Sequence, residues 1–150
     1  MRAVVTRVSN AKVEIDGKVH SQIGAGLMVL LGVLDTDEKS DAEYVAKKVG
    51  DTRIFSDSEG KMNLSCEQIG GEILVVSNFT LYGDTRKGNR PSFVRAARPE
   101  LAEPMYEYFC NLLRERGYTV GCGVFGADMQ VSSVNDGPVT LVIDSPSKEN

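Results

Sequence analysis

With 150 residues, 41% hydrophobic and 25% charged, the chain has the make-up of an ordinary folded domain, which excludes a disordered or membrane-embedded chain. Its formal net charge of −4 gives no overall pull toward a polyanion, so any nucleic-acid contact must come from a local basic patch. The longest apolar run, Leu27 to Leu31 resumed at Val33-Leu34, falls far short of the ~20 residues of a spanning helix and reads as a buried strand.

Arg2 to Val8 alternates apolar and polar residues, the pattern of a half-buried strand and not of a leader peptide. Asp16-Gly17, between Val13-Glu14-Ile15 and Lys18-Val19-His20, predicts a tight hairpin, because a type I′ turn needs positive φ at both centres. Gly24-Ala25-Gly26 then turns the chain into the buried strand Leu27 to Val33. A helix is expected next, capped by Asp35 or Thr36, with Asp37 and Glu38 at the positive end of its dipole. Ala42, Val45, Ala46 and Val49 give it one apolar face, and Gly50 suits its stop. Thr52 to Phe55 reads as a short strand, Ser56 to Gly60 as a polar turn, and Ile73 to Tyr82 as a longer strand.

Gly83 to Arg98 forms a basic loop. A second helix runs from there toward Arg116-Gly117, with Met105, Phe109, Leu112 and Leu113 on its buried side. Pro99 suits a first turn, while Pro104 predicts that the helix starts or kinks there. Met129 to Val134 and Val139 to Ile143 are predicted as the last two strands, joined by Asn135-Asp136-Gly137-Pro138, with a polar tail fraying from Ser145. Strands come in runs, so the predicted class is α+β: mainly antiparallel sheets forming a barrel- or sandwich-like core with two main helices, as a single domain over residues 1–150.

Several kinds of chemistry are not written into this sequence. Its one histidine, His20, lies beside the hairpin turn and reads as an exposed strand residue, which leaves no Ser-His-Asp or Cys-His apparatus. Cys66, Cys110 and Cys122 form no close pair and no metal-type spacing, so neither a metal nor a cofactor is expected. An odd cysteine count without a leader points to reduced thiols in a cytoplasm. Gly121-x-Gly123-x-x-Gly126 opens no helix and reads as turn chemistry. An enzyme built on this chain must work by positioning, backbone dipoles and hydroxyls. Hydrolysis of an already activated ester is one reaction for which donors aimed at the developing oxyanion suffice.

Two segments stand out: Ser77-Asn78-Phe79-Thr80-Leu81 at the end of an apolar strand, and Asn135-Asp136-Gly137-Pro138-Val139-Thr140 near the C-terminus. Alone, the first reads as a strand surfacing from the core and the second as a hairpin loop. Together, in this order and spacing, they resemble the signatures Ser-Gln-Phe-Thr and Asn-x-Gly-Pro-Val-Thr of the D-aminoacyl-tRNA deacylase family. The likeness extends from Met1 to about Asp144. It includes Gly24-Ala25-Gly26-Leu27, Arg53-Ile54-Phe55-Ser56-Asp57, Gly60-Lys61-Met62-Asn63, Arg90-Pro91-Ser92-Phe93 and Ala127-Asp128-Met129-Gln130-Val131.

The resemblance implies hydrolysis of the ester of D-aminoacyl-tRNA, and of glycyl-tRNA mischarged on tRNA-Ala, without a cofactor. It implies a homodimer with its sites at the interface, no membrane and no DNA partner. Ser77, Asn78, Phe79 and Met129 would line the pocket for the aminoacylated terminal adenosine, with a backbone contact from Phe79 to the oxyanion. Gly137-Pro138, joined by a cis bond and oriented by Arg7, would enter from the partner subunit and leave no room for an L side chain. Asn78 stands where the family usually has glutamine. Thr80 has no general base in its motif, so it is read as a positioning group and not a nucleophile. The family view gives the assisting role to the 2′-hydroxyl of the terminal ribose. Arg86, Lys87, Arg90, Arg95 and Arg98, with no acid between them, are placed on tRNA phosphates. A non-catalytic RNA-binding dimer on the same fold is the main rival reading, and a related editing enzyme with another substrate preference, such as an L-amino acid, is the second.

Overall fold

The N-terminal alternation runs further than Val8. In the structure, a computed structural model that describes residues 1–146, strand β1 extends over Arg2–Ile15. It turns through Asp16 and Gly17, at φ 51° and 76°, into β2, Lys18–Ile23, as the Asp-Gly dipeptide requires. β3 follows at Gly26–Gly32. β2 and β3 share one edge of β1, β2 along its C-terminal half and β3 along its N-terminal half, both antiparallel. β6, Glu72–Ser77, pairs parallel with β3, and β7, Val120–Cys122, pairs parallel with β6. β4, Phe55–Ser56, and β5, Met62–Leu64, form a small antiparallel ladder of their own.

The second edge of β1 is covered by one strand, β8, Gln130–Asp144. This corrects the expectation of two strands joined by a hairpin loop. Residues on both sides of Asn135-Asp136-Gly137-Pro138 pair antiparallel with the same strand, so the chain bulges and does not reverse. Val8 faces Asn135 and Thr6 faces Thr140, which leaves four residues of β8 opposite Arg7 alone.

β3 and β6 are continuously apolar because both of their faces are covered. Leu27, Val29, Leu31, Ile73 and Val75 face the helices, whereas Met28, Leu74 and Val76 join Val8, Ala11, Val13 and Ile23 in a second, inner core. The sheet curls toward a barrel, with β2 brought against β6 and β7. The α+β class with two main helices is what forms: α1, Lys39–Asp51, and α2, Pro99–Glu115, pack together over the first core.

Helix boundaries differ from the sequence reading for identifiable reasons. α1 starts after Glu38, whose backbone N–H donates to Asp41 at 2.8 Å, and not after Asp35 or Thr36. Asp37 is buried elsewhere, accepting from the Met1 ammonium at 2.6 Å and from the Leu34 N–H at 2.8 Å. Gly50 lies within α1 and does not end it. A Cβ there would come within 2.3 Å of Arg116, so this glycine makes room for a side chain from α2's far end. α2 begins at Pro99 and continues through Pro104.

β6 also stops sooner than expected. The chain leaves the sheet at Asn78, and Phe79–Tyr82 forms a 3₁₀ turn. At the C-terminus, Ser145 donates its N–H to the Met1 carbonyl at 2.9 Å, and its hydroxyl accepts from the Met1 ammonium at 2.8 Å. The rest of the tail expected to fray, residues 147–150, lies outside the described residues. No helix among the described residues is long and apolar enough to cross a membrane.

Candidate functional site

β6 is buried from Ile73 to Val76 and reaches the end of the sheet at Ser77. Its last rung is the Asn78 N–H donating to the Leu31 carbonyl at 2.8 Å. The Asn78 side chain then folds back on its own backbone. Its amide oxygen accepts from the Thr80 N–H at 3.2 Å and from the Thr80 hydroxyl, which caps the 3₁₀ turn. The shorter amide found here is thus a local cap.

Two consequences follow for chemistry. The Thr80 N–H and hydroxyl proton are both committed to an amide oxygen. No base adjoins that hydroxyl among the described residues, so none activates it for attack, although its lone pairs stay available to an incoming donor such as an ammonium. The Phe79 N–H, in contrast, has no acceptor among the described residues, and it emerges at the exposed end of a well-anchored strand. It is the backbone donor free to meet a developing oxyanion.

The Phe79 ring is 56% exposed and meets Phe93 edge to face, with centroids 5.1 Å apart at 76°. Phe93 was not foreseen as a site residue. Its only sign in the sequence was a place in Arg90-Pro91-Ser92-Phe93, within the basic loop. The loop is held in place there by the reciprocal Asp84 and Ser92 backbone bonds of 2.8 and 2.9 Å.

The basic loop carries its charges unequally. Arg86 is gripped by Asp84, with Nε to Oδ1 at 2.9 Å and Nη2 to Oδ2 at 2.6 Å, and these bonds hold the Asp84 carboxyl down at about 2. Lys87, Arg90, Arg95 and Arg98 are exposed, with no carboxylate at ion-pair distance among the described residues. Four of the five predicted phosphate contacts are therefore exposed cations without an ion-pair partner among the described residues, on the loop that carries Phe93 or at its end.

Met129 is half-buried against the inner core. Gly123 lets it approach, since a Cβ there would lie 2.6 Å from the Met129 sulfur and 3.8 Å from Val76. Met129 is thereby placed beside the strand that delivers Ser77 and Asn78.

The second motif is built on β8. Arg7 lies under the bulge, its side chain 13% exposed. Its Nε donates to the Asp136 carbonyl and its Nη1 to the Ile54 carbonyl, both at 2.7 Å. Asn135 closes the bulge by accepting from the Val139 N–H at 3.1 Å and donating to the Thr140 hydroxyl at 3.2 Å. The Gly137-Pro138 bond is cis. A Cβ on Gly137 would fall 2.3 Å from the Val139 nitrogen, so no other residue fits that place without a shift.

Within one chain the two motifs are not brought together. Arg7, opposite the bulge, shares a rung with Leu27 and Ile73, whereas Ser77 shares one with Leu31, Ala3 and Ile143. Four residues along the strands and three strand spacings across amount to roughly 15–20 Å. β8 meanwhile exposes Val131, Val134, Leu141 and Val142, and its outer edge pairs with no strand among the described residues.

The remaining candidates lie apart. His20 is exposed on β2, and Gly121, Gly123 and Gly126 belong to β7 and the turn after it, opening no helix. Burial pushes the Cys66 thiol up to about 12. The cysteine reading needs one correction: Cys110 of α2 and Cys122 of β7, twelve residues apart, place their sulfurs 3.6 Å from each other. Among the described residues, no group of three or more His, Cys, Asp or Glu side chains is arranged to hold a metal ion.

Comparison with known proteins places these features in context. The family model described as D-Tyr-tRNA(Tyr) deacylase matches residues 4–144. A protein of Porphyromonas gingivalis named D-aminoacyl-tRNA deacylase is 57% identical over 150 residues, covering 99% of this chain and 100% of that one. A solved structure titled c-Myc DNA Unwinding Element Binding Protein is 42% identical with a TM-score of 0.92, covering 98% of this chain and 100% of that chain. Another, titled as a probable eukaryotic D-amino acid tRNA deacylase, has a TM-score of 0.81 at 21% identity, covers 95% of this chain and 98% of that chain, and shares the fold.

Proposed function

This chain belongs to the D-Tyr-tRNA(Tyr) deacylase family, and from that premise we propose how its site carries out the hydrolysis of D-aminoacyl-tRNA for which its relatives are named. The enzyme is a homodimer in which the Gly137-Pro138 bulge of one subunit enters the pocket formed by Ser77, Asn78, Phe79, Thr80 and Met129 of the other. The observation that carries this reading is the separation of the two motifs in one chain, with one of them on an uncovered apolar edge.

In the assembled site the Phe79 N–H receives the ester carbonyl oxygen as negative charge develops on it. The Thr80 hydroxyl oxygen, its proton turned toward Asn78, accepts from the substrate's α-ammonium. Water attacks the carbonyl carbon, the bond to the ribose oxygen breaks, and the vicinal 2′-hydroxyl assists the proton movement. Free D-amino acid and tRNA leave.

The bulge excludes an L side chain by backbone, which Arg7 and Asn135 fix in place. Glycyl-tRNA, having no side chain to exclude, is accepted. Lys87, Arg90, Arg95 and Arg98 position the acceptor end by its phosphates in a cytoplasmic setting. Contacts of that kind read no sequence. The loop alone would tolerate DNA, and it is the ester that selects the substrate.

Purified protein with matched D-, L- and glycyl-tRNA tests this. Cleavage of D- and glycyl-tRNA with the L-substrate spared is expected, whereas comparable rates on D- and L-tyrosyl-tRNA would remove the proposed exclusion. A D-aminoacyl-tRNA ending in 2′-deoxyadenosine should react about 10²–10⁴-fold more slowly. Thr80→Ala should weaken the reaction less than that, and a trapped acyl-Thr80 species would overturn the scheme. Full activity of a monomer would sink the shared site, and an unchanged KM after replacing Lys87, Arg90, Arg95 and Arg98 with alanine would break the assignment of the loop.

A further inference from the structure

Tyr106, Cys110 and Arg114 follow one another at four-residue intervals, so they stand in line on one face of α2. Cys122, the last residue of β7, comes against that face. Its sulfur is 3.6 Å from the Cys110 sulfur and accepts from Arg114 Nη2 at 3.1 Å. Cys110 is buried, whereas Cys122 is half-buried. Neither thiol has a part in the deacylation described above.

We propose that Cys110 and Cys122 are a peroxide-sensitive pair, with the Cys122 sulfur attacked first and Cys110 closing a reversible disulfide that slows the deacylase.

The roles follow from the surroundings of each sulfur. The hydrogen bond with Cys110 and the Arg114 guanidinium lower the Cys122 thiol below its ordinary range, while the same hydrogen bond and burial raise Cys110. Attack by the Cys122 thiolate on a peroxide breaks the O–O bond, giving a sulfenic acid and releasing hydroxide. The Cys110 sulfur then displaces the sulfenic oxygen, which leaves as water with the Cys110 proton. In sum, two thiols are oxidised to one disulfide and one hydrogen peroxide is reduced to two waters. Closing the bond requires the sulfurs to approach from 3.6 Å to about 2.05 Å, a movement of β7 against α2 and not a refolding.

That movement bears on the site by two routes. Tyr106, in the same line, donates to the Val75 carbonyl at 2.7 Å, three residues before Asn78 on the strand that delivers Phe79. Gly123, next to Cys122, donates its N–H to the same carbonyl at 3.3 Å and holds the close approach of Met129. Drawing Cys122 toward α2 thus shifts the support of Met129 and of the Phe79 donor together.

The activity arm of this inference rests on the proposed deacylation, but the chemical arm does not. Wild-type protein exposed to hydrogen peroxide and mapped without reduction should yield a linked peptide containing Cys110 and Cys122, two hydrogens lighter than the separate peptides. Deacylation of D-tyrosyl-tRNA should fall in parallel and return with a thiol reductant. Cys122→Ser should keep its activity through the same treatment. Absence of the linked peptide would overturn the pair whatever the enzyme does. A linked peptide with unchanged activity would overturn the regulatory part. Equal loss in wild type and Cys122→Ser, not restored by the reductant, would assign the effect to other oxidation, such as that of Met129.

Discussion

β6 and β8 each carry half of the candidate site, and they reach it by opposite means. β6 is buried on both faces, and its candidate-site end is the point where the chain runs out of sheet: Asn78 makes the last rung, caps the turn and leaves the Phe79 N–H without an acceptor among the described residues. β8 is exposed along its length, and its active part is an interruption inside the strand, fixed from below by Arg7 and from within by Asn135. The first half is rigid because of what this chain buries. The second is held locally but sits on a surface of exposed valines, the patch that the proposed dimer covers.

The comparison breaks most readily at β8. Val142 is 62% exposed, so Val142→Asp costs the isolated subunit little but leaves an unpaired charge in any interface built on this edge. A cost of about 3–5 kcal/mol, or about 150- to 4,000-fold weaker association, is expected, with deacylation falling as dimer is lost. Sedimentation across a range of concentrations checks this, and an unchanged dimer would place the interface elsewhere.

Arg7→Ala sharpens the contrast by loosening the bulge while leaving the edge intact. Two bonds from a charged donor are lost, each worth about 1.5–3 kcal/mol, so kcat/KM should drop about 10- to 100-fold with the dimer preserved. Discrimination between D- and L-substrates should narrow as well, which a purely structural arginine would not affect.

On the β6 side, Asn78→Ala removes a cap worth about 1 kcal/mol, and a decrease of about fivefold in kcat is expected with a small loss of thermal stability. Asn78→Gln, which still carries an amide oxygen, should recover most of both. A larger effect from the glutamine than from the alanine would contradict the capping role.

The smallest expected effect lies in the loop beside both halves. Arg86 depresses the Asp84 carboxyl to about 2, so the pair is intact above the ordinary carboxylate range and lost as pH falls from about 4 toward 2. The pair lies at the surface, with Arg86 largely exposed, so little change in global stability should accompany it. A carboxyl-carbon titration by NMR should show the low midpoint in wild type and an ordinary one in Arg86→Ala.

Sequence periodicity went a long way where local chemistry decides the outcome. The Asp16-Gly17 hairpin, the apolar faces of α1 and α2 and the doubly buried β3 followed from residue type and spacing. The family signatures pointed to both halves of the site. What stayed hidden depends on contacts distant in sequence. Asp37 was lost to helix capping because the chain's own amino group takes it, and Gly50 was read as a stop because Arg116 lies far away in sequence. β8 was divided in two because Asn, Asp, Gly and Pro suit a hairpin as well as they suit a bulge. Only the register against β1 tells these apart. Cys110 and Cys122 looked unrelated because a helix-to-strand contact has no spacing signature.

The bulge in β8 has a consequence for how such a protein can vary. The ladder against β8 runs regularly from Arg2 to Thr6 and again from Asn10 to Glu14, with Val8 opposite Asn135 between these stretches and four residues of β8, 136–139, left between Asn135 and Thr140. Those four are off the count. Residues could be added or removed there without moving any other rung, and only the depth to which the segment protrudes would alter. Chain length at this place is decoupled from sheet geometry and works as a gauge. In the proposed dimer, lengthening or trimming this one segment would set how large a substituent the facing pocket tolerates, leaving the rest of the molecule as it is.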